Sequence, residues 1–182
     1  MKMKKLLLSF GLLFMAVGGT MAQEKGKIRL GAGVVYGTEA SLGDDSDNKG
    51  GIGFNLGGEY FITDKISAAP SFTYFMKSET EFLGGKLSGQ PSSLNLDGRF
   101  YTGDGDIAFY GLVGLSMGFA KTEMKDSEVV ENSSDSDNKA GINVGVGLVY
   151  PINERIGLNG LVKYNSPYEQ LEIQAGFTFT LN

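Results

Sequence analysis

From residue 27 to residue 181, apolar residues recur at every second position, and a chain with that pattern has few ways to fold. Ile28, Leu30, Ala32, Val34 and Tyr36 alternate with Lys27, Arg29, Gly31, Gly33 and Val35. Successive side chains of a strand point to opposite faces, so a period of two marks a β-strand with a different environment on each side. The same rhythm returns over 52–62, 66–76, 94–100, 107–119, 142–150, 156–164 and 171–181. That gives eight predicted strands of about ten residues, the length a tilted strand needs to cross a bilayer. Connections alternate long and short, so all neighbours can be antiparallel. Residues 38–49, 77–90 and 121–139 read as long loops, the last the longest and most charged. Pro70 falls inside a strand and has no N–H for the ladder, which predicts a bulge or a locally widened pairing there.

The wet face decides the class. One face of all eight strands is nearly free of charge, while the other mixes Gly, Ser, Thr, Asn and Gln with Lys27, Arg29, Glu59, Asp97, Arg99, Lys163 and Glu172. A soluble lipocalin-like barrel would carry its charge outside. An apolar outer surface of this extent would aggregate in water, so it must meet lipid. Tyr36, Tyr74, Phe119 and Tyr164 fall near the long-loop end of the apolar face, and Tyr60, Phe100, Phe109 and Tyr150 near the short-turn end. Two aromatic belts at two interfaces fit a membrane-spanning barrel.

What precedes and what is missing narrow the setting. MKMKK, an apolar run from Leu6 to Val17 and Thr20-Met21-Ala22 form the three parts of a cleavable signal peptide, residues 1–22. The run is too short to span a bilayer as a helix, which needs roughly 20 residues. No cysteine follows it, so anchoring through a lipidated cysteine is excluded, and disulfides hold nothing together. Removing Lys2, Lys4 and Lys5 leaves 13 basic against 21 acidic side chains, a formal charge of −8 that offers nucleic acid no basic footprint. With no histidine in the chain, Ser-His-Asp triads, imidazole bases and the usual zinc sites are unavailable.

The last strand adds a motif: Gln174, Gly176, Phe179 and Leu181 are a polar residue, a glycine two later, and two hydrophobic residues at alternate positions. It resembles the terminal assembly signal of bacterial outer-membrane barrels. Residues 23–182 as a whole resemble the small OmpA/OmpX-type barrels. The fold implied is all-β, an eight-stranded antiparallel up-and-down transmembrane barrel. The resemblance also implies a Gram-negative outer membrane, with long loops outside the cell and short turns in the periplasm. It implies a monomer surrounded by lipid and handled by periplasmic chaperones and the barrel-assembly machinery. Enzymes occur among small outer-membrane barrels, but their protease- and deacylase-like sites rely on histidine. No catalytic residue, cofactor or metal site is therefore expected.

An eight-stranded barrel encloses room for side chains or one small ligand. Lys27, Arg29, Glu59, Asp97 and Arg99 are expected to cluster at the periplasmic end, with Lys163 facing Glu172 near the loop end. Such buried charges must pair, so they form a packed interior network or else a charged gate. The expected role is structural or in cell-surface interaction, with an extracellular partner met through residues 38–49 and 121–139. The alternative is a narrow, low-conductance, porin-like channel. One repeat remains: DSDNKGGI at 45–52 returns as DSDNKAGI at 135–142, an offset of 90 residues. Neither copy makes a calcium loop, because the fifth position is Lys49 or Lys139 and the twelfth is Leu56 or Val146. The offset also matches Gly57 with Gly147, Tyr60 with Tyr150, Ile66 with Ile156 and Tyr74 with Tyr164. It reads as the remnant of a duplicated four-stranded half, with DSDNK at the loop-to-strand entry of each half.

Overall fold

The computed structural model describes residues 24–40, 50–82, 85–102, 107–125 and 133–181. The expected signal peptide and the first DSDNK copy lie outside them. The strands are β1 (Ile28–Gly37), β2 (Gly51–Phe61), β3 (Ile66–Phe75), β4 (Ser78–Phe82), β5 (Gly85–Thr102), β6 (Ala108–Lys125), β7 (Ser133–Pro151), β8 (Ile156–Asn165) and β9 (Gln170–Leu181). Every pairing is antiparallel. β1 is bonded to both β2 and β9, and β3 to β5, so the sheet closes on itself. β4 resumes the line of β3 after two residues and pairs with the same neighbour, so nine strands make an eight-staved barrel. Closure leaves no open edge at membrane depth, as a solvent without hydrogen-bonding groups demands.

The apolar face points outward all round. Val113 and Leu115 are 64% and 66% exposed to the surroundings of the chain, and the tyrosines at 36, 60, 74, 150 and 164 all lie outward. Small inward residues on β1, β7 and β9, among them Gly33, Gly145 and Gly176, let adjacent staves bend closely together: a Cβ there would meet the neighbouring strand within 2.6 Å. A Cβ at Gly147 would come within 2.4 Å of the Tyr110 ring.

Two of the expected long loops are mostly strand. Residues 78–82 form β4, 85–90 open β5, β6 runs on to Lys125, and β7 begins at Ser133. The second DSDNK copy is therefore inside β7 rather than at its entry. Alternation failed to announce these stretches because both faces of the sheet stand in water beyond the apolar belt. The backbone ladder continues there without any contrast between faces. β5, β6 and β7 have 18, 18 and 19 residues, while the other staves β1, β2, β8 and β9 have 10 to 12. About eight extra residues at roughly 3.3 Å each carry a four-stranded sheet, β4-β5-β6-β7, some 25 Å past the rim. β8 pairs with β7 only from Asn143 to Pro151, and Ile142 N–H is taken by Ser166 Oγ, so among the described residues 133–141 of β7 have no strand beside them on that edge.

Pro70 is accommodated by a widened pairing, not a bulge. The β2–β3 ladder runs to Gly57↔Ser71 and resumes at Tyr60↔Ala68 in the same register, skipping the rungs at Gly58 and Glu59. On its other side Pro70 pairs with Leu96 in an unbroken ladder. The bulge lies elsewhere. Between Tyr74↔Ser92 and Ser78↔Gly89 three residues, Phe75 to Lys77, stand against two, Gln90 and Pro91.

The offset of 90 recurs bond for bond in two turns. Ile62 N–H and Thr63 N–H donate to Ile66 O, as Ile152 N–H and Asn153 N–H donate to Ile156 O. Thr63 Oγ1 accepts from Lys65 and Ile66 N–H, and Asn153 Oδ1 accepts from Arg155 and Ile156 N–H. Counted around the barrel, β2-β3 and β7-β8 are four staves apart, so the two hairpins face each other across it.

The β8–β9 connection folds inward. Ser166–Tyr168 make a short 3-10 turn, and Glu169 leaves it at φ 52 in the left-handed region. Tyr168 O–H donates to Ser92 O on β5 at 2.7 Å. Glycines at 118 and 141 make the room: a Cβ there would meet the Tyr168 ring at 2.9 Å or the Pro167 ring at 2.7 Å. The turn thus closes part of the mouth on the projecting-sheet side.

Candidate functional site in the barrel interior

Inward positions of the eight staves carry three polar layers. The first is centred on Glu59 of β2, whose two oxygens receive four donors. Ser67 Oγ and Tyr101 O–H donate to Oε1 at 2.5 and 2.7 Å, and Arg29 and Arg99 Nη1 donate to Oε2 at 3.4 and 3.2 Å. Arg29 Nη1 also donates to the Tyr101 hydroxyl at 3.2 Å. The guanidiniums lie over aromatic faces, Arg29 at 4.9 Å from the Phe61 centroid and Arg99 at 4.8 Å from that of Tyr110. Phe61, Tyr101 and Tyr110 stack in sequence with centroids 5.5 and 5.1 Å apart. With Ala108, Leu112, Val149 and Leu161 they form an apolar plug at the short-turn end.

The middle layer is built of amides and hydroxyls. Asn143 Nδ2 donates to Asn95 Oδ1 and Asp97 Oδ1, both at 2.9 Å. Asn165 Nδ2 donates to Ser116 Oγ at 2.9 Å and Asn143 Oδ1 at 3.0 Å, and Ser116 Oγ donates to Asn95 Oδ1 at 2.8 Å. The third layer lies beneath the inward turn. Lys163 Nζ is 3.3 Å from Glu172 Oε2, with side chains only 1% and 0% exposed. Gln170 and Gln174 Nε2 donate to the same carboxylate at 3.2 and 3.1 Å.

Of the seven charged residues singled out from the sequence, the structure brings Arg29, Glu59 and Arg99 together, and separately Lys163 and Glu172. Asp97 is not in the Glu59 cluster: it faces the amide layer, because Asn143 on β7 reaches it over Gly114, which lies between them on β6 and has no side chain to intervene. Lys27 precedes β1 and stays near water, 3.2 Å from Glu24. The buried set then holds three cations and three carboxylates. The C-terminal motif residues all sit on β9. Gln174 points inward, Gly176 faces Gly33, and Phe179 and Leu181 face lipid opposite Leu30 and Ile28 of β1. Sequence reasoning missed Ser67, Tyr101 and Tyr110 and the amides Asn95, Asn143 and Asn165. Their inward parity was the available signal. A carboxylate already taking four hydrogen bonds is poorly placed to act as a base. Among the described residues no group of three or more acidic or other metal-binding side chains is placed to hold a metal.

The Outer membrane protein beta-barrel domain family matches residues 10–180 of the sequence. No curated protein matches it. Ail, the attachment invasion locus protein of Yersinia pestis, in complex with the heparin analogue sucrose octasulfate, is similar at TM-score 0.62 and 19% identity, over 86% of this chain and 99% of that one. A major outer membrane protein from Thermus thermophilus reaches TM-score 0.66 at 13% identity, over 86% and 99%. Neisserial surface protein A reaches 0.57 at 17%, over 84% and 95%. At these identities the likeness is one of fold.

Proposed function

The chain belongs to the outer membrane protein β-barrel domain family, and we propose that it serves there as a non-catalytic surface protein whose projecting sheet meets an extracellular partner. The observation that carries this reading is the β7 edge at 133–141, beside which no described strand is paired. Unpaired strand edges recruit extended segments of other chains through main-chain hydrogen bonds. Ile142 N–H already points to that side, donating to Ser166 Oγ at 3.3 Å. By the alternation of a strand, the N–H groups of Asn138 and Ala140 point the same way. We place the end bearing the sheet outside the cell and the tight turns in the periplasm, a reading that the length of the projecting sheet supports.

Charge sets the partner apart from that of the Ail complex. Residues 38–50, 76–92, 120–141 and 166–169 together carry 13 acidic and 6 basic side chains. A sulfated polyanion of the kind bound to Ail is repelled by such a surface. We further propose that the barrel is a monomer, assembled with periplasmic chaperones and the barrel-assembly machinery through Gln174, Gly176, Phe179 and Leu181.

The test is genetic and structural together. Cells lacking the chain are complemented with the wild type, with a form in which residues 122–136 are replaced by a tight turn, and with Ala140→Pro. Proline at 140 removes an N–H from the open edge and none from the β6 ladder. Attachment to surfaces and to host matrix should fall several-fold with both variants, while envelope permeability stays unchanged. Unchanged attachment with altered permeability, joined by discrete conductance steps in a planar bilayer, would replace this reading with the narrow channel.

A further inference from the structure

We propose that the interior holds a binding site for a single carboxylate group, between Arg29 and Arg99 and behind the β2–β3 seam. This does not rest on the surface role proposed above. A cavity of about 40 Å³ is lined by Arg29, Arg99 and Glu59, with glycines of β1, β2 and β9 making up much of the wall. At roughly 10–15 Å³ for each water-sized group, it takes about three such groups, enough for a carboxylate. Its charged lining is two guanidiniums against one carboxylate, and that carboxylate is fully engaged. Asp97 does not restore the balance, since it lines the amide layer and not this cavity.

A donor is left over on one of the lining residues. Arg99 Nε is buried and has no hydrogen-bond partner among the described residues. A guanidinium edge presents Nε–H and an Nη–H in parallel, which matches the two oxygens of a carboxylate. Chloride offers one centre and cannot use that fork.

The wall beside the cavity is thin. One of the two skipped rungs is that between Gly58 and Pro70, which line the cavity and stand at outward positions of β2 and β3. A Cβ added at Gly58 would meet nothing closer than 4.0 Å. The seam therefore offers a way for the headgroup of a fatty acid to reach Arg99 while its chain stays in the bilayer. A small free carboxylate would reach the same fork from the lumen.

The experiment follows the Arg99 Nε–H resonance of arginine-labelled protein folded in nonionic micelles. Sodium formate and sodium laurate are titrated separately, with sodium chloride at matched ionic strength. Both carboxylates should shift the resonance saturably and chloride should not. Gly31→Val adds bulk at the cavity wall, from a position where a Cβ has nothing closer than 3.8 Å, and should weaken both at least tenfold. Arg99→Lys, which lacks Nε, provides a second test: bound radiolabelled laurate should fall at least tenfold. Folding of each variant is checked by heat-modifiable migration. Gly58→Leu separates the sources. A tenfold loss for laurate alone identifies a membrane fatty acid, and no loss for either identifies a free carboxylate. Absence of a saturable shift, an equal shift with chloride, or an undiminished shift in Gly31→Val would overturn the proposal.

Discussion

Replacing Glu59 by leucine is expected to cost the folded barrel about 3–5 kcal/mol, the usual penalty for leaving buried charges without their partner. The size follows from the geometry. One carboxylate takes hydrogen bonds from Arg29, Arg99, Tyr101 and Ser67, so its loss strands two guanidiniums and two hydroxyls at once. Cation–π contact with Phe61 and Tyr110 softens the cost but cannot replace a counter-charge. A triple variant, Arg29→Met with Glu59→Leu and Arg99→Met, should recover most of the loss, because it removes the charges as a set. The measurement is urea unfolding in phospholipid vesicles, followed by far-UV circular dichroism since the chain has no tryptophan. If Glu59→Leu alone unfolds at the wild-type midpoint, the cluster does not hold the barrel.

Arginine in place of Val113 should destabilise by about 2–4 kcal/mol, and in place of Tyr150 by no more than about 1 kcal/mol. Val113 lies midway along the part of β6 between the Phe109 and Phe119 belts and pairs with Gly98 and Val144. It is outward, with nothing but lipid to meet. Tyr150 is also outward, but at the turn-end belt, where a long cationic side chain reaches water. The two costs must differ by depth. Equal costs from the same unfolding measurement would mean that the apolar face is not graded by a bilayer.

How much of this was legible in the sequence depended on contrast. Where one face meets lipid and the other the lumen, period two located the staves. Beyond the belt the contrast disappears, so β4, the early part of β5, the end of β6 and the start of β7 looked like loops. Parity also put Arg29, Glu59, Arg99, Lys163 and Glu172 inside. Lys163 and Glu172 sit on one hairpin, so their pairing could be read from the register. The bond from Arg29 to Tyr101 spans 72 residues and that from Asn143 to Asp97 spans 46. The first needs the sheet to curl over three staves, and the second needs the register that lines up Asp97, Gly114 and Asn143 across β5, β6 and β7. Alternation fixes neither. For the same reason Asp97 could not be separated from its neighbour Arg99 beforehand. Pro70 announced a defect but not its form. The bulge of Phe75–Lys77 against Gln90–Pro91 falls where the expected third strand gives way to an expected loop.

The central claim is that the apolar face meets lipid and the polar face the lumen. It is tested most directly by single cysteines at each position from 110 to 119 of β6, each spin-labelled in vesicles, which the cysteine-free chain allows without background. Collision with oxygen dissolved in the bilayer should alternate strictly, high at 111, 113, 115 and 117 and low at 110, 112, 114 and 116, with a water-soluble nickel chelate excluded from the high set. High chelate accessibility at 113 and 115, or oxygen contact in phase with the even positions, would contradict it.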